Sequence, residues 1–153
     1  MPHYDYQTPF GSIWIAEENH SIVRIKYKIG NSNMAKKETE LIQETYKELG
    51  EYFSGKRKTF DVPIQLIGTP FQKRVWSALQ TIPYGEVWSY KQLAEAVDLP
   101  KGFRAVGMAN NQNPISIIVP CHRVIGIDGN LVGYAGGLDI KRKLLEIEQN
   151  NKN

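Results

Sequence analysis

Two adjacent residues hold most of this chain's reactive potential. Cys121 is the only cysteine, and His122 is the only histidine in the second half. They lie in Pro120-Cys121-His122-Arg123-Val124, directly after the apolar run Ile115-Ser116-Ile117-Ile118-Val119. That run reads as a buried strand, which would put a soft nucleophile at its end. The thiolate is the reactive form, and a free cysteine with a pKa near about 8.5 is mostly thiol at neutral pH. An imidazole could take the proton, and an acid orienting that imidazole would complete a nucleophile–base–orienter series. Neighbouring side chains diverge on an extended backbone, so the pair needs a bend, which Pro120 could supply. Glu146 and Glu148 on the last helix are the candidate orienters, and spacing does not choose between them. The competing readings are structural: a lone cysteine as a small buried hydrophobe, and His122 as a satisfied polar residue at a strand end.

The elements that must position this pair can be read in order. Ile13-Trp14-Ile15 forms a short apolar run, Glu17 to His20 a turn, and Val23, Ile25, Tyr27 and Ile29 alternate with basic residues as a half-buried strand. Leu41, Ile42, Thr45, Tyr46, Leu49, Tyr52 and Phe53 share one face of a helix over about 34–53, which Ser54-Gly55 ends. Phe60, Val62, Ile64 and Leu66 alternate as a further strand, with Pro63 marking an edge. Neither His3 nor His20 has partners at metal spacing.

From Gly68 the period changes. Thr69 caps a helix whose first position suits Pro70, and Phe71, Val75, Ala78, Leu79 and Ile82 line its face. Ser89 and Gln92 form a capping box for a short helix, Leu99 to Gly102 breaks it, and another helix covers about 103–111. Two short helices around a Gly-containing turn resemble a helix-turn-helix, or else an αα-corner used for packing. Val124–Ile127 and Leu131–Tyr134, joined by Asp128-Gly129-Asn130, read as a hairpin. A last helix begins after Gly136-Gly137. The fold class is α+β: a small N-terminal sheet-plus-helix lobe, residues 1–67, then a mainly helical C-terminal lobe, residues 68–153, carrying the helix pair and Cys121.

The 153 residues suffice for one domain or two small lobes. No apolar run approaches the ~20 residues of a membrane span, and without a basic-then-apolar leader no secretion signal is expected. A single free thiol fits a reducing, cytoplasmic compartment. The net charge of +3 is unevenly placed. Residues 1–68 hold nine basic and nine acidic side chains, whereas 69–153 hold ten and seven. Between Asp98 and Asp128 stand only Lys101, Arg104 and Arg123, as a polyanion-facing surface would have it, or as chance asymmetry on a solvated face would.

The motif Pro120 to Val124 resembles the active-site segment of the O6-alkylguanine-DNA alkyltransferases, the direct-reversal DNA repair family. So do, in order and spacing, Gly85-Glu86-Val87-Trp88-Ser89-Tyr90 with Gln92-Leu93-Ala94, Arg104-Ala105-Val106-Gly107, Asn113-Pro114 and Gly133-Tyr134-Ala135-Gly136-Gly137. The resemblance covers about residues 68–148. It implies that Cys121 accepts an alkyl group from O6 of guanine in duplex DNA, and also from O4-alkylthymine, in one irreversible turnover. It implies that His122 deprotonates the thiol through a bound water while Glu148, at the family's spacing, orients the imidazole. Asn113 would be a hinge. Tyr90 would help to rotate the nucleotide and donate a proton toward the departing guanine. Arg104, with Ala105 and Gly107 on the same helix, would meet the DNA, Arg104 filling the space of the extruded base. Tyr134, the Ala135 backbone and the Val124 carbonyl would line the guanine pocket.

The implied partner is alkylated double-stranded DNA, met through its minor groove with little sequence preference, by a monomer without cofactor, metal or membrane. Ser116 stands where some relatives carry a proline. The N-terminal lobe has no cysteine, so neither the zinc site of some relatives nor a second acceptor is expected. A cysteine hydrolase would need oxyanion donors, for which the sequence has no signal. A plain helix-turn-helix regulator would need neither Cys121 nor His122, and non-reactive damage-binding relatives replace the cysteine.

Overall fold

Alternation in the first 27 residues builds an antiparallel sheet. Strands β1 (His3–Thr8), β2 (Gly11–Glu18) and β3 (Ser21–Tyr27) pair in that order, with Tyr4 opposite Ile15 and Ile15 opposite Ile25. The structure is a computed structural model and describes residues 1–27, 36–126, 129, 131 and 133–152. Ile13, Ile15, Ile22 and Ile25 are buried, and α1 (Glu40–Phe53) covers the sheet with Ile42, Leu49 and Tyr52. The sequence predicts this helix from Met34, but 36–39 are not helical and positions 34 and 35 lie outside the described residues. The Thr39 side chain caps the first turn by accepting from the Ile42 amide at 3.1 Å, which fixes the start. At the other end Gly55, at φ +78°, and Lys56 donate their amides back to the Tyr52 and Glu51 carbonyls, so glycine is needed where the chain turns left-handed.

The segment 60–66 is not the strand its alternation predicts. Only Ile64 bridges β3, in parallel to Ile22, and Pro63 contributes a carbonyl but has no amide to extend a ladder.

The expected Ser89–Gln92 capping box is present on α3 (Tyr90–Ala96), and the Thr69 cap of α2 (Pro70–Leu79) is completed by Gln72 into a second one. Helix α4 (Phe103–Asn111) packs on both, and the Trp76 indole donates to the Ala109 carbonyl at 2.8 Å. Helix α5 (Leu138–Asn151) closes the chain with Lys141, Leu144 and Glu148 turned inward.

The apolar run before Cys121 is buried but is not a strand. Ile115 bridges Ile25, after which the chain doubles back: Val119 donates to the Ile115 carbonyl at 3.0 Å and Ile118 to that of Ser116 at 2.9 Å. Ile117 sits at φ +77°, a strained setting for a β-branched residue. Pro114 and Pro120 remove the amides that a longer ladder would use, and the Asn113 side chain binds the Ile115 amide and the Val119 carbonyl, two groups a strand would offer a neighbour. The predicted hairpin also differs. Val124–Ile125 forms β5, paired in parallel with β4 (Trp88–Ser89), a pair too short to show periodicity. Gly133 and Tyr134 are not in a strand, and 127, 128, 130 and 132 lie outside the described residues.

Candidate active site

Cys121 opens a single 3-10 turn, Cys121–Arg123. Pro120 supplies the expected bend: at φ −83°, ψ 63°, it makes an inverse γ-turn closed by the Cys121 amide on the Val119 carbonyl at 2.8 Å. The Val119 carbonyl also accepts from the Asn113 amide at 2.7 Å. Asn113 therefore fixes both ends of the loop that delivers the cysteine. The thiol is shut in, with Cys121 only 5% exposed.

The turn separates the three side chains after Pro120 and sends His122 and Arg123 to one acid. His122 Nε2 lies 2.8 Å from Glu148 Oε2. Arg123 forks onto the same carboxylate, Nε to Oε1 at 2.8 Å and Nη2 to Oε2 at 2.9 Å, while its Nη1 donates to the Ile82 carbonyl at 2.7 Å. The Tyr52 hydroxyl of α1 also donates to Glu148 Oε2, and the Gly85 amide reaches Oε1 at 3.4 Å. Glu148 is 1% exposed, whereas the Glu146 side chain is 63% exposed and lies 3.9 Å from Arg142. Helical geometry thus decides between the two candidates: Lys141, Leu144 and Glu148 share the inner face of α5 and Glu146 points out.

Burial pushes the His122 pKa below its ordinary value, more than the Glu148 contact raises it, so the ring is neutral at neutral pH. Burial would also raise Glu148, but the contacts with His122 and Arg123 outweigh it and bring the carboxyl down to about 2. With His122 neutral, the permanent charge of Arg123 is what keeps Glu148 ionised. An ionised carboxylate only accepts, so His122 carries its proton on Nε2 and turns an unprotonated Nδ1 the other way. That Nδ1 is buried and has no partner among the described residues.

Burial raises the Cys121 thiol above its ordinary value, opposed by a hydrogen bond from Asn113 and by the charges of Lys141 and Lys26. Lys141 is fully buried, with Nζ donating to the Val124 carbonyl at 2.6 Å and to Gly133 at 3.3 Å, and burial brings its own pKa down to about 8. The carbonyl expected to receive a guanine amino group thus already accepts from a lysine. Lys141→Met should raise the thiol pKa by removing this charge. Iodoacetamide alkylation measured against pH should then turn on at higher pH and run several-fold slower at neutral pH, about what one pKa unit gives. An unmoved profile would make Lys141 a structural tether only.

The other expected residues form a second group. Tyr90 at the start of α3, with Arg104, Gly107 and Met108 of α4 and Gly133, lines an open cleft of about 760 Å³. Arg104 and Ala105 are exposed, and so are Phe103 and Met108. A Cβ at Gly107 would come no closer than 3.6 Å to the Tyr90 ring, so helix packing does not demand glycine there. Tyr134 stands between the groups, its ring centroid 6.5 Å from that of His122 and its hydroxyl 2.7 Å from that of Tyr27, while Ala135 is exposed.

Sequence reasoning missed Tyr52, Lys26, Tyr27 and Lys141, and gave Arg123 no role of its own. Arg123 had a local signal, its place in the motif. The others come from distant elements and had none. Among the described residues no cluster of three or more His, Cys, Asp or Glu is placed to hold a metal, and no helix is long and apolar enough to cross a membrane.

Known proteins are similar to this one along nearly the whole chain. The 6-O-methylguanine DNA methyltransferase family matches through its ribonuclease-like domain over residues 3–66 and its DNA binding domain over residues 70–150. The methylated-DNA–protein-cysteine methyltransferase of Methanosarcina barkeri is 44% identical, over 97% of this chain and 98% of its own. The constitutive enzyme of that name from Bacillus subtilis is 48% identical, over 94% and 92%. The crystal structure of Mycobacterium tuberculosis OGT in complex with DNA superposes with a TM-score of 0.91 at 41% identity, covering 99% of this chain and 94% of that one. With both parts of the chain matched and full-length relatives this close, the protein belongs to the 6-O-methylguanine DNA methyltransferase family.

Proposed function

We propose that Cys121 takes the alkyl group from O6-alkylguanine in duplex DNA, and from O4-alkylthymine, in a single irreversible transfer. The observation that carries this assignment is the buried Glu148 carboxylate on His122 Nε2 at 2.8 Å, which leaves an unprotonated, unpartnered Nδ1 on the residue that follows the chain's only cysteine. The thiol is protonated at rest, so it needs such a base. His122 removes the proton through a bound water, and the imidazolium formed is stabilised by Glu148.

The thiolate attacks the alkyl carbon. An S–C bond forms, the C–O6 bond breaks, and its electron pair returns to the guanine. Tyr90 supplies a proton to the departing base; burial raises its pKa, so it remains a neutral donor. The product is a thioether, a poor leaving group, so the chain is used once.

O6 lies inside a base stack and the thiol is shut in, so the nucleotide must be rotated out of the duplex. The exposed face of α4 is suited to the minor groove, with Arg104 entering the stack and Asn113 tying α4 to the cysteine loop. Tyr134, the Ala135 backbone and the second lone pair of the Val124 carbonyl receive the base. Contacts of this kind carry little sequence information. We further assign the protein to the cytoplasm, as a monomer without cofactor.

The test is intact mass after incubation with O6-methylguanine duplex. A gain of one methyl group per chain, absent in Cys121→Ser, is expected. No gain under conditions where the duplex is bound would refute the assignment.

A further inference from the structure

We propose that Tyr27, the last residue of β3, is a positioning residue that sets the Tyr134 wall of the base pocket. The inference rests on Tyr134 lining that pocket, as assigned above.

Three consecutive residues of β3 reach the site. Ile25 exchanges backbone hydrogen bonds with the cysteine loop, donating to the Pro114 carbonyl at 2.9 Å and accepting from Ser116 at 3.1 Å. Lys26 Nζ lies 3.4 Å from the Asn113 carbonyl. The Tyr27 hydroxyl meets that of Tyr134 at 2.7 Å, with ring centroids 5.6 Å apart and planes at 66°. The turn after Tyr134 is moulded on the same ring: a Cβ at Gly136 would come within 3.0 Å of Tyr27 and 3.1 Å of Tyr134. Gly136 thus lets the pocket loop close down on a residue from the other end of the chain.

Burial raises both phenols far above neutral pH, so the pair shares one proton-donor bond between neutral hydroxyls. A neutral hydrogen bond between two half-buried hydroxyls is worth keeping, because breaking it leaves each with poorer partners. It also pins the hydroxyl end of the Tyr134 side chain and with it χ1, while the Tyr27 ring packed at 66° bears on it. A planar purine can be captured only by a wall held to within a fraction of an ångström and a few degrees. The N-terminal sheet therefore contributes to catalysis without touching the reacting atoms.

The test uses the full chain with Tyr27→Phe, Tyr134→Phe and both together. Phenylalanine keeps the packed volume, and the melting midpoint checks that each variant is folded. Single-turnover transfer is measured at saturating O6-methylguanine duplex, and affinity for undamaged duplex separately. Tyr27→Phe is expected to slow saturated transfer about fivefold, the worth of one hydrogen bond, with undamaged-duplex affinity unchanged. In the Tyr134→Phe background it should add less than about twofold, because the two hydroxyls act as one unit. If Tyr134→Phe slows transfer but Tyr27→Phe does not, or if the two effects multiply, the inference is overturned and Tyr27 only packs. If Tyr134→Phe itself has no effect, the pocket assignment fails and takes the inference with it.

Discussion

Glu148→Ala is expected to destabilise the protein by about 3–5 kcal/mol, as removal of one partner from a buried ion pair does. The magnitude follows from what is left behind. Arg123 would keep the Ile82 carbonyl and the face of Tyr84, 5.7 Å away, but no counter-charge. Tyr52 would lose its acceptor. Urea unfolding at neutral pH measures the loss, and an unchanged midpoint would mean that the pair contributes nothing net. Glu148→Gln keeps the shape and removes the charge. It should retain more stability, while slowing methyl transfer by ~10²-fold, because His122 loses the anion that favours its protonated form.

The same pair sets acid stability, and the sign is fixed by the direction of the shift. The Glu148 pKa is lowered on folding, from 4.5 to about 2, so its contribution is complete above the ordinary carboxylate value and is lost as pH falls through that window. Thermal midpoints of the native chain should fall across that range more steeply than those of Glu148→Gln. Parallel curves would show that other carboxylates govern the acid limb.

Arg104→Ala is expected to slow repair of O6-methylguanine in duplex DNA on the order of 100-fold, the equivalent of losing a few kcal/mol of compensation for one unstacked step. Reaction with free O6-benzylguanine should change by less than about twofold, because nothing has to be extruded. The contrast follows from exposure: Arg104 lines the open cleft on α4, while Cys121, His122 and Glu148 are buried. Arg104→Lys separates two roles, since it keeps the charge that meets phosphates and loses the planar group that suits a base stack. Equal losses on the two substrates would show that Arg104 does not fill the stack. Exposed Phe103 and Met108, 48% and 58% accessible, flank it with apolar surface suited to the same interface.

Much of the local structure was legible in one dimension, because it depends on residue order. Pro120-Cys121-His122 suggests a bend beside a candidate nucleophile and base, and the bend is there. The Ser89–Gln92 capping box and the Thr69 cap could be read because a Ser or Thr side chain satisfies backbone groups within a single turn. The helix pair of residues 90–111 and the inward face of α1 follow from spacing for the same reason.

What failed was whatever depends on distant partners. The run 115–119 has the composition of a strand, but two prolines and the Asn113 side chain take the groups a ladder needs, and the chain turns at Ile117 instead. Phe60–Leu66 alternates as a strand should, yet gains one bridge because Pro63 has no amide. The choice of Glu148 over Glu146 rests on the family's spacing in the sequence and on the inner face of α5 in the structure.

The sequence by itself determined the bend before Cys121, the capped helices and the α+β class, since each follows from residue order along the chain. Only the tertiary structure decided the environment. Arg123 and Tyr52 converge with His122 on one carboxylate, Lys141 is carried beneath the cysteine turn, and Tyr27 crosses from the first sheet to Tyr134, 107 positions away. Burial and those contacts shift the titration of Cys121, His122, Lys141 and Glu148, and no local pattern encodes them, because desolvation and pairing arise only when separate elements are packed together.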